Sequence, residues 1–426
     1  MKVLIVGYKG SEHALAWKLH QSAKVSKIYI APGNVGTASL GENIPISKIT
    51  EIIEWLKVNK VDLVLTGTVS YLKDGLADEI QKLKIPFFGP TKATAQIEWS
   101  KSFAKKFMQR AGIPTAPFEI FNDFEQTKQY MKNQSFPLVI KADGLADGLG
   151  TIIAKNLGEA ELALHNLMIK KIFGRAGEVV IIEEFLEGRE ISIHAFCDGE
   201  NAILFPASQD HKRLLDGDRG PNTGGMGSIA PVPWVTSEIM HEIKEKIVLP
   251  TLKGLKRMGR PFTGILFPGV MITSKGPVVL ELNARFGNPE TQSYMRILKT
   301  DLADVLLACV NKDLKNFSIE WSNKFACCVM VAAEGYHGKY TKGIKIKGLK
   351  AFGTDSDVKI FQAGTKINDG DVVVGGMGRV LGVSTLGDDL STAIQRAYKA
   401  LEKIKFEGMY FRTDIGKKAL IPSTQF

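Results

Sequence analysis

Four stretches of this sequence bring charged side chains and glycines together at spacings that suit phosphate, carboxylate or metal-ion chemistry. In VVLELNARFGNPETQ (278–292), Glu281 and Asn283 alternate across Leu282, so on a strand they share one face. Two hard oxygen donors, completed by phosphate oxygens, suit Mg²⁺ or Mn²⁺. Arg285 follows on the same face, where a guanidinium can stabilise a transferring phosphoryl group or hold a carboxylate. A plain Glu281–Arg285 ion pair is the competing reading. In VIKADGLADGLG (139–150), a strand delivers Lys141 into a loop with Gly144, Gly148 and Gly150. Small residues let backbone N–H groups approach phosphate beside a lysine charge, although an ordinary glycine hairpin has the same composition.

In VIIEEFLEGRE (180–190), an apolar strand runs into Glu183 and Glu184, with Leu186 and Glu190 beyond. Backbone groups leaving such a strand can pair with an adenine edge, and a carboxylate farther on can accept from ribose hydroxyls. Taken alone, the segment reads equally as an amphipathic strand end with solvated acids. The fourth stretch, SQDHKRLLDGDRGPNTGGMG (208–227), is polar, glycine-rich and long enough to be expected as a functional loop without regular structure. Asp210, His211, Lys212 and Arg213 supply charge there, while Asn222, Thr223, Gly224 and Gly225 supply backbone donors. His211 is not assigned as a base, since a satisfied structural histidine explains it as well.

The elements that must carry these residues follow from hydrophobic periodicity. Strand-like runs at 2–6, 27–31, 61–65 and 85–89 alternate with helix-like segments at 11–22, 47–59 and 72–83. That alternation predicts a doubly wound parallel sheet, with ligand loops at 7–11, 31–37 and 66–71 beyond the strand ends. The centre predicts an α+β unit, with strands at 136–143, 150–154, 179–186, 190–199, 201–208, 263–273 and 277–283 and helices near 157–170 and 237–258. From Phe325 onward, glycine-rich turns and one helix at 390–404 predict a small, mainly β domain. Expected domain spans are 1–101, 102–324 with a mobile lid at about 121–190, and 325–426.

Composition excludes several classes. The 426 residues carry 55 Lys+Arg against 45 Asp+Glu, a net charge of +10, with 44% hydrophobic residues. That balance describes a globular chain and not a disordered one. Four cysteines without C-x-x-C spacing argue against a disulfide framework or zinc site and fit a reducing compartment. No apolar run approaches the roughly 20 residues of a membrane span. No signal-peptide core is read at 1–13, so a cytoplasmic location is expected. The positive excess permits nucleic acid as a partner, but no zinc finger, RNP motif or dense basic stripe supports it. The expected partners are small anionic molecules, without nucleic acid or membrane.

The order of KADG…GLG, EEFLEGRE, SQDHKR, GPNTGGMG and ELNARFGNPETQ resembles the glycinamide ribonucleotide synthetase (phosphoribosylamine–glycine ligase) family of the ATP-grasp superfamily. The resemblance extends through GYKGSEHALAWK (7–18), APGNVGTA (31–38), FGPTKATAQIEWSK (88–101) and AGTK (363–366), nearly the whole chain. It implies a pre-ATP-grasp domain, an ATP-grasp domain and a small C-terminal domain. It implies ATP and Mg²⁺ (or Mn²⁺) as cofactors, and glycine and phosphoribosylamine, or a related amine, as substrates. A monomer or weak homo-oligomer is expected.

By resemblance, Lys101 and Lys141 contact the ATP phosphates, with Gly144, Gly148 and Gly150 in the cover. Glu183, Glu184 and Leu186 form the adenine hinge, and Glu190 holds the ribose. Glu281 and Asn283 bind the metal, and Arg285, Asp210 and Lys212 serve catalysis. Gly10, Glu12, His13, Asn222, Thr223, Gly224 and Gly225 face the substrates. The sequence departs from the family pattern in the first loop, where Lys9 and Ser11 stand for glycine and arginine, and in Gly67-Thr68-Val69, which stands for G-P-E. Leu149 replaces a lid lysine beside Asp147, and Asn288 replaces an aspartate. These changes keep three readings open: a working glycinamide ribonucleotide synthetase, a related ligase with another amine, or a nucleotide-binding paralogue of low activity.

Overall fold

A computed structural model describes residues 1–146, 149–352, 357–376 and 378–421. The chain opens with a five-stranded parallel sheet in the order Glu42–Asn43, Lys27–Pro32, Lys2–Gly7, Leu63–Thr66, Phe87–Phe88. Val3, Leu4, Ile5 and Val6 are all fully buried, which is why this strand is an unbroken apolar run and not an alternating one. Strand order reverses beside Lys2–Gly7, so the loops after it and after Leu63–Thr66 flank the crevice where such sheets bind ligands. The single helix expected at 72–83 is two, Val69–Lys73 and Leu76–Lys82. Gly75 separates them at φ 92°, a left-handed conformation that ends the first helix.

The central region contains two sheets. One is antiparallel, in the order Phe118–Phe121, Val180–Glu184, Leu138–Ala142, Thr151–Ala154, and closes a small core of its own around Ile140, Leu164 and Leu167. The other is built on the long strand Thr263–Thr273, paired with Gly276–Asn283 on one side. The strand expected at 190–199 is two pieces, Arg189–Ser192 and Ala195–Asp198, each pairing with Thr263–Thr273. Pro268 lies opposite the break and has no N–H to donate, so the ladder cannot run through.

The polar stretch is not an unstructured loop. It forms the strand Gln209–Asp210, a hairpin of Arg213–Leu215 with Arg219–Asn222, and the strand Gly227–Ala230. Gln209–Asp210 and Gly227–Ala230 belong to a six-stranded sheet with Phe325–Ala333, Arg379–Gly387, Val358–Gln362 and Met409–Tyr410. The chain from Phe325 onward is thereby joined by backbone hydrogen bonds to the segment carrying Asp210. Its helix Leu390–Leu401 buries Leu390, Ala393, Ile394, Ala397 and Leu401 on one face, and Asp389 caps it by accepting from the Thr392 N–H. All four cysteines are buried free thiols.

Candidate active site

One cavity of about 1040 Å³ runs between these sheets, and most of the charged residues singled out above line it. Its first end is cationic. Glu183, at 2% exposure, accepts from Lys141 at 2.9 Å and from Lys105 at 2.7 Å. Lys141 also donates to the Leu280 carbonyl at 2.9 Å, and Lys105 to the Thr115 hydroxyl at 2.7 Å. Lys101 lies one turn before Lys105 on the helix Lys101–Ala111 and donates to the Gly144 carbonyl at 3.1 Å. Burial lowers Lys101 from its usual range and pushes Lys105 down to about 8, with Glu183 opposing that fall and Lys141 adding to it. Two lysines thus share one buried carboxylate and a third, Lys101, stands beside them on a backbone carbonyl, an excess of positive charge suited to a polyphosphate. Leu186, Val139, Ile153 and Met271 supply an apolar wall beside them. Glu184 is exposed, and its N–H is spent on the Pro117 carbonyl.

The middle of the cavity holds the oxygen pair. Lys212 donates to Glu190 at 2.5 Å and lies 3.4 Å from Glu281. Lys212 first, and then Lys101 and Lys141, hold the Glu281 carboxyl down at about 2, against the burial of Glu281, which would raise it. Burial would lower Lys212, but Glu190 and Glu281 outweigh it and hold its pKa above the usual range. The Asn283 amide donates to the Phe267 carbonyl at 3.2 Å, which turns its oxygen toward the cavity, where Arg285 Nη2 donates to it at 3.4 Å. Arg285 does not pair with Glu281. It pairs with Glu98 at 3.0 Å, and the same carboxylate accepts from the Ala284 N–H at 2.7 Å.

Among the described residues no three His, Cys, Asp or Glu side chains cluster as a metal cage. An ionised Glu281 and the Asn283 oxygen therefore fit a hard divalent cation that takes its remaining ligands from phosphate and water.

The far end is acidic. Asp210 and the buried Glu290 both line it. Burial, and then Glu290, push Asp210 up to about 8, against the pull of Lys212 and Arg379. Ser192 donates to Glu290 at 3.0 Å, and the His211 N–H to Asp210 at 2.7 Å. Asn222, Thr223 and Gly224 line the cavity, and the Gly225 N–H is taken by the Thr223 hydroxyl at 2.9 Å. His211 is structural: its Nδ1 faces the Gly227 carbonyl at 3.1 Å, and its Nε2 accepts from the Gly416 N–H at 3.0 Å.

The loops after the first-domain strands Lys2–Gly7 and Leu63–Thr66 reach the cavity through Tyr8, Lys9, Gly67 and Val69, and not through Gly10, Glu12 or His13. Glu12 is fully buried and accepts from the Lys9 N–H at 3.0 Å, the Ser11 hydroxyl at 2.9 Å and the Thr68 hydroxyl at 2.9 Å. Gly7, at φ 145°, admits that carboxylate, since a Cβ would lie 2.5 Å from it. Gly10 packs on Gln292, and His13 packs on Phe361 and accepts from the Gln362 N–H at 2.9 Å.

Comparison with known proteins bears on the whole chain. Residues 1–98, 99–291 and 326–418 match the N domain, ATP-grasp (A) domain and C domain of phosphoribosylglycinamide synthetase. The chain belongs to the phosphoribosylglycinamide synthetase family. It is 45% identical to a phosphoribosylamine–glycine ligase of Caldanaerobacter subterraneus subsp. tengcongensis, over 97% of this chain and 99% of that one. It is 44% identical to the bifunctional purine biosynthetic protein ADE1 of Schizosaccharomyces pombe, over 98% of this chain and 54% of that one. Among solved structures, it is similar to phosphoribosylamine–glycine ligase from Thermotoga maritima, with a TM-score of 0.83 and 34% identity, covering 98% and 100% of the two chains. Similarity to the biotin carboxylase domain of Hydrogenobacter thermophilus 2-oxoglutarate carboxylase, with a TM-score of 0.74 and 18% identity over 96% and 91%, is one of fold.

Within this family frame, the departures noted in the sequence fall at two places. Ser11 and Thr68 converge on Glu12, while Lys9 and Val69 face the cavity. Leu149 lines the cavity; Gly148 and Asp147 lie outside the described residues, and Gly150 and Gly144 lie at its wall. Asn288 accepts from Gln292 at 2.6 Å. Sequence reasoning missed Lys105, Glu98, Glu290 and Arg379. The i,i+4 spacing of Lys101 and Lys105 in KSFAKK was a readable signal for the first. Glu98 and Glu290 lie inside quoted motifs, and nothing local marks Arg379.

Proposed function

We propose that this protein joins glycine to 5-phosphoribosylamine with hydrolysis of ATP to ADP and phosphate, giving glycinamide ribonucleotide for purine biosynthesis. The observation that carries the reading is a single cavity with a cationic end, an oxygen pair in its middle and a carboxylate pair at its far end, in a chain that matches the family throughout. One glycine carboxylate oxygen attacks the γ-phosphorus; an O–P bond forms as the bond to the β,γ-bridging oxygen breaks and ADP leaves. The amine nitrogen then attacks the carbonyl carbon of the glycyl phosphate, phosphate leaves, and the nitrogen gives up a proton.

Lys101, Lys105 and Lys141 would hold the polyphosphate, with Glu183 fixing the last two in place. Glu281 and Asn283 would hold Mg²⁺, which when bound neutralises phosphate charge. Arg285, oriented by Glu98, would face the transferred phosphoryl group. Lys212 keeps Glu281 ionised. Asp210 and Glu290 are two buried carboxylates short of one cation, which the glycine ammonium would supply. A cavity enclosed by the small sheet Phe118–Ala154 and the C-terminal sheet would keep water from the acyl phosphate. No described helix is long and apolar enough to cross a membrane, and we place the activity in the cytoplasm.

A second reading rests on the first-domain end of the cavity, where Tyr8, Lys9, Gly67 and Val69 include no carboxylate for sugar hydroxyls. It is a ligase of the same mechanism with another amine. An ADP-release assay with ATP, Mg²⁺ and glycine decides between them. Release only with freshly generated phosphoribosylamine supports the first reading, release only with another amine supports the second, and ATP binding without turnover refutes both.

A further inference from the structure

The six-stranded sheet reaches into the cavity through one side chain, Arg379, that the proposed reaction does not use. Arg379 begins the strand Arg379–Gly387, where a register shift opposite Val331 and Ala332 turns it away from the regular ladder. Its Nη1 donates to three carbonyls: Gly224 at 2.5 Å, Gly225 at 3.0 Å and Asn288 at 2.9 Å. The first two belong to the loop after the Arg213–Asn222 hairpin. The third belongs to the turn between Arg285 and Glu290.

The glycines of the loop match this arrangement. A Cβ on Gly224 would lie 2.7 Å from the Arg379 guanidinium, and one on Gly225, at φ 103°, would lie 2.4 Å from Pro289 and 2.6 Å from Asp210. The loop can therefore approach the guanidinium, the turn and the carboxylate together only because both positions lack side chains.

We propose that Arg379 is a positioning residue for the acceptor amino acid: it ties the 223–225 loop to the 288–290 turn, fixing the gap between Asp210 and Glu290 that receives the ammonium. The inference rests on the function proposed above. All three carbonyls converge on the one nitrogen Nη1, which the rigid guanidinium holds at the end of its stem; a lysine ammonium on a shorter, flexible stem reproduces that convergence only in part. Loosening the tie displaces two carboxylates at the far end of the cavity and leaves the lysine-rich end untouched, since no Arg379 bond reaches Lys101, Lys105 or Lys141. Two carboxylates held at an unsuitable distance bind an ammonium less well, so the defect belongs to glycine and not to ATP.

The test is steady-state kinetics on the full chain with R379A, R379K and G224A, each checked for an unchanged melting curve. R379A is expected to raise KM for glycine by about tenfold or more, with KM for ATP within about twofold of wild type. R379K should fall between them. Guanidinium ion at about 20 mM should lower the glycine KM of R379A and leave wild type unaffected. Should R379A fail to fold, G224A decides, because its Cβ displaces the same guanidinium and should give the same split. Equal effects on both KM values, no effect on either, or a folded R379A that guanidinium does not rescue would each overturn the inference. A wild-type protein that releases no ADP with glycine and phosphoribosylamine refutes the proposed function instead, and so the two failures are distinct.

Discussion

His13 gives a prediction whose size can be worked from the structure. The ring is buried between its helix Gly10–Leu19, Gly36 and the strand Val358–Gln362, at 4% exposure, with Phe361 edge-on at 5.4 Å. Its Nδ1 accepts from the Gln362 N–H, a role that a protonated Nδ1 cannot fill. Burial, and then Lys359, push its pKa down from 6.5 to about 3. A folded-state pKa below the unfolded value gives stability that is present above the unfolded value and lost as pH falls toward the folded one. At about pH 5 the unfolded ring is protonated and the folded ring is not. The difference of about 1.5 pH units below the unfolded pKa costs about 2 kcal/mol relative to about pH 7.5. Measured domains have only about 5–15 kcal/mol to lose. The assay is urea unfolding of wild type and H13N at both pH values, since asparagine offers an acceptor oxygen but does not titrate. The stability difference, wild type minus H13N, should shrink by about 2 kcal/mol on acidification. A difference independent of pH would refute the burial argument. A raised KM for phosphoribosylamine in H13N, with stability unchanged, would restore the ring to the substrate site.

Glu281→Ala should abolish metal-dependent ADP release while leaving the melting temperature near wild type; ordinary turnover in that variant would remove the metal assignment. Lys105→Met removes one of the two cations paired with Glu183 and should raise KM for ATP by about tenfold without moving KM for glycine. Burial, and then Glu290, raise Asp210 to about 8, so kcat/KM for glycine should climb as pH rises through about 8 and the carboxylate ionises to meet the ammonium. D210N should lose that limb of the profile, and a limb that survives in D210N would assign it elsewhere.

The parts of this protein that were legible in sequence are those whose signal is local. The unbroken apolar strand 2–6 carries its meaning within a few residues, and Glu281, Asn283 and Lys141, singled out from local spacing, all line the cavity. Most of what failed depended on distant partners. The helix at 72–83 is the local exception, broken by its own Gly75 in a left-handed conformation, whereas the strand at 190–199 broke because Pro268, some 70 residues away, has no N–H opposite it. The stretch at 208–227 has the composition of a loop, yet strands beginning at Phe325 supply its sheet partners. Glu12 sits in the most motif-like part of the first domain. Its carboxylate is nevertheless taken by Ser11 and Thr68, and the second of these lies 56 residues away. Arg379 has no local signal, because its three acceptors come from two loops more than 90 residues upstream.

The charges that line the cavity also fix the direction in which an amino acid can lie. At one end Lys105 and Lys141 share Glu183 with Lys101 beside them; in the middle Lys212 and Arg285 are met by Glu190, Glu281 and Glu98; at the other end Asp210 and Glu290 face Arg379, which is already committed to three carbonyls. A zwitterion entering this field is stabilised with its ammonium toward Asp210 and its carboxylate toward Arg285 and the lysine-rich end, and destabilised in the reverse sense. That orientation presents a carboxylate oxygen to the γ-phosphorus. The same polarity disfavours an amino acid with a second carboxylate near Glu290. Aspartate should therefore compete with glycine poorly even where the cavity has room for it, and strong inhibition by aspartate would show that Asp210 and Glu290 do not govern this end of the site.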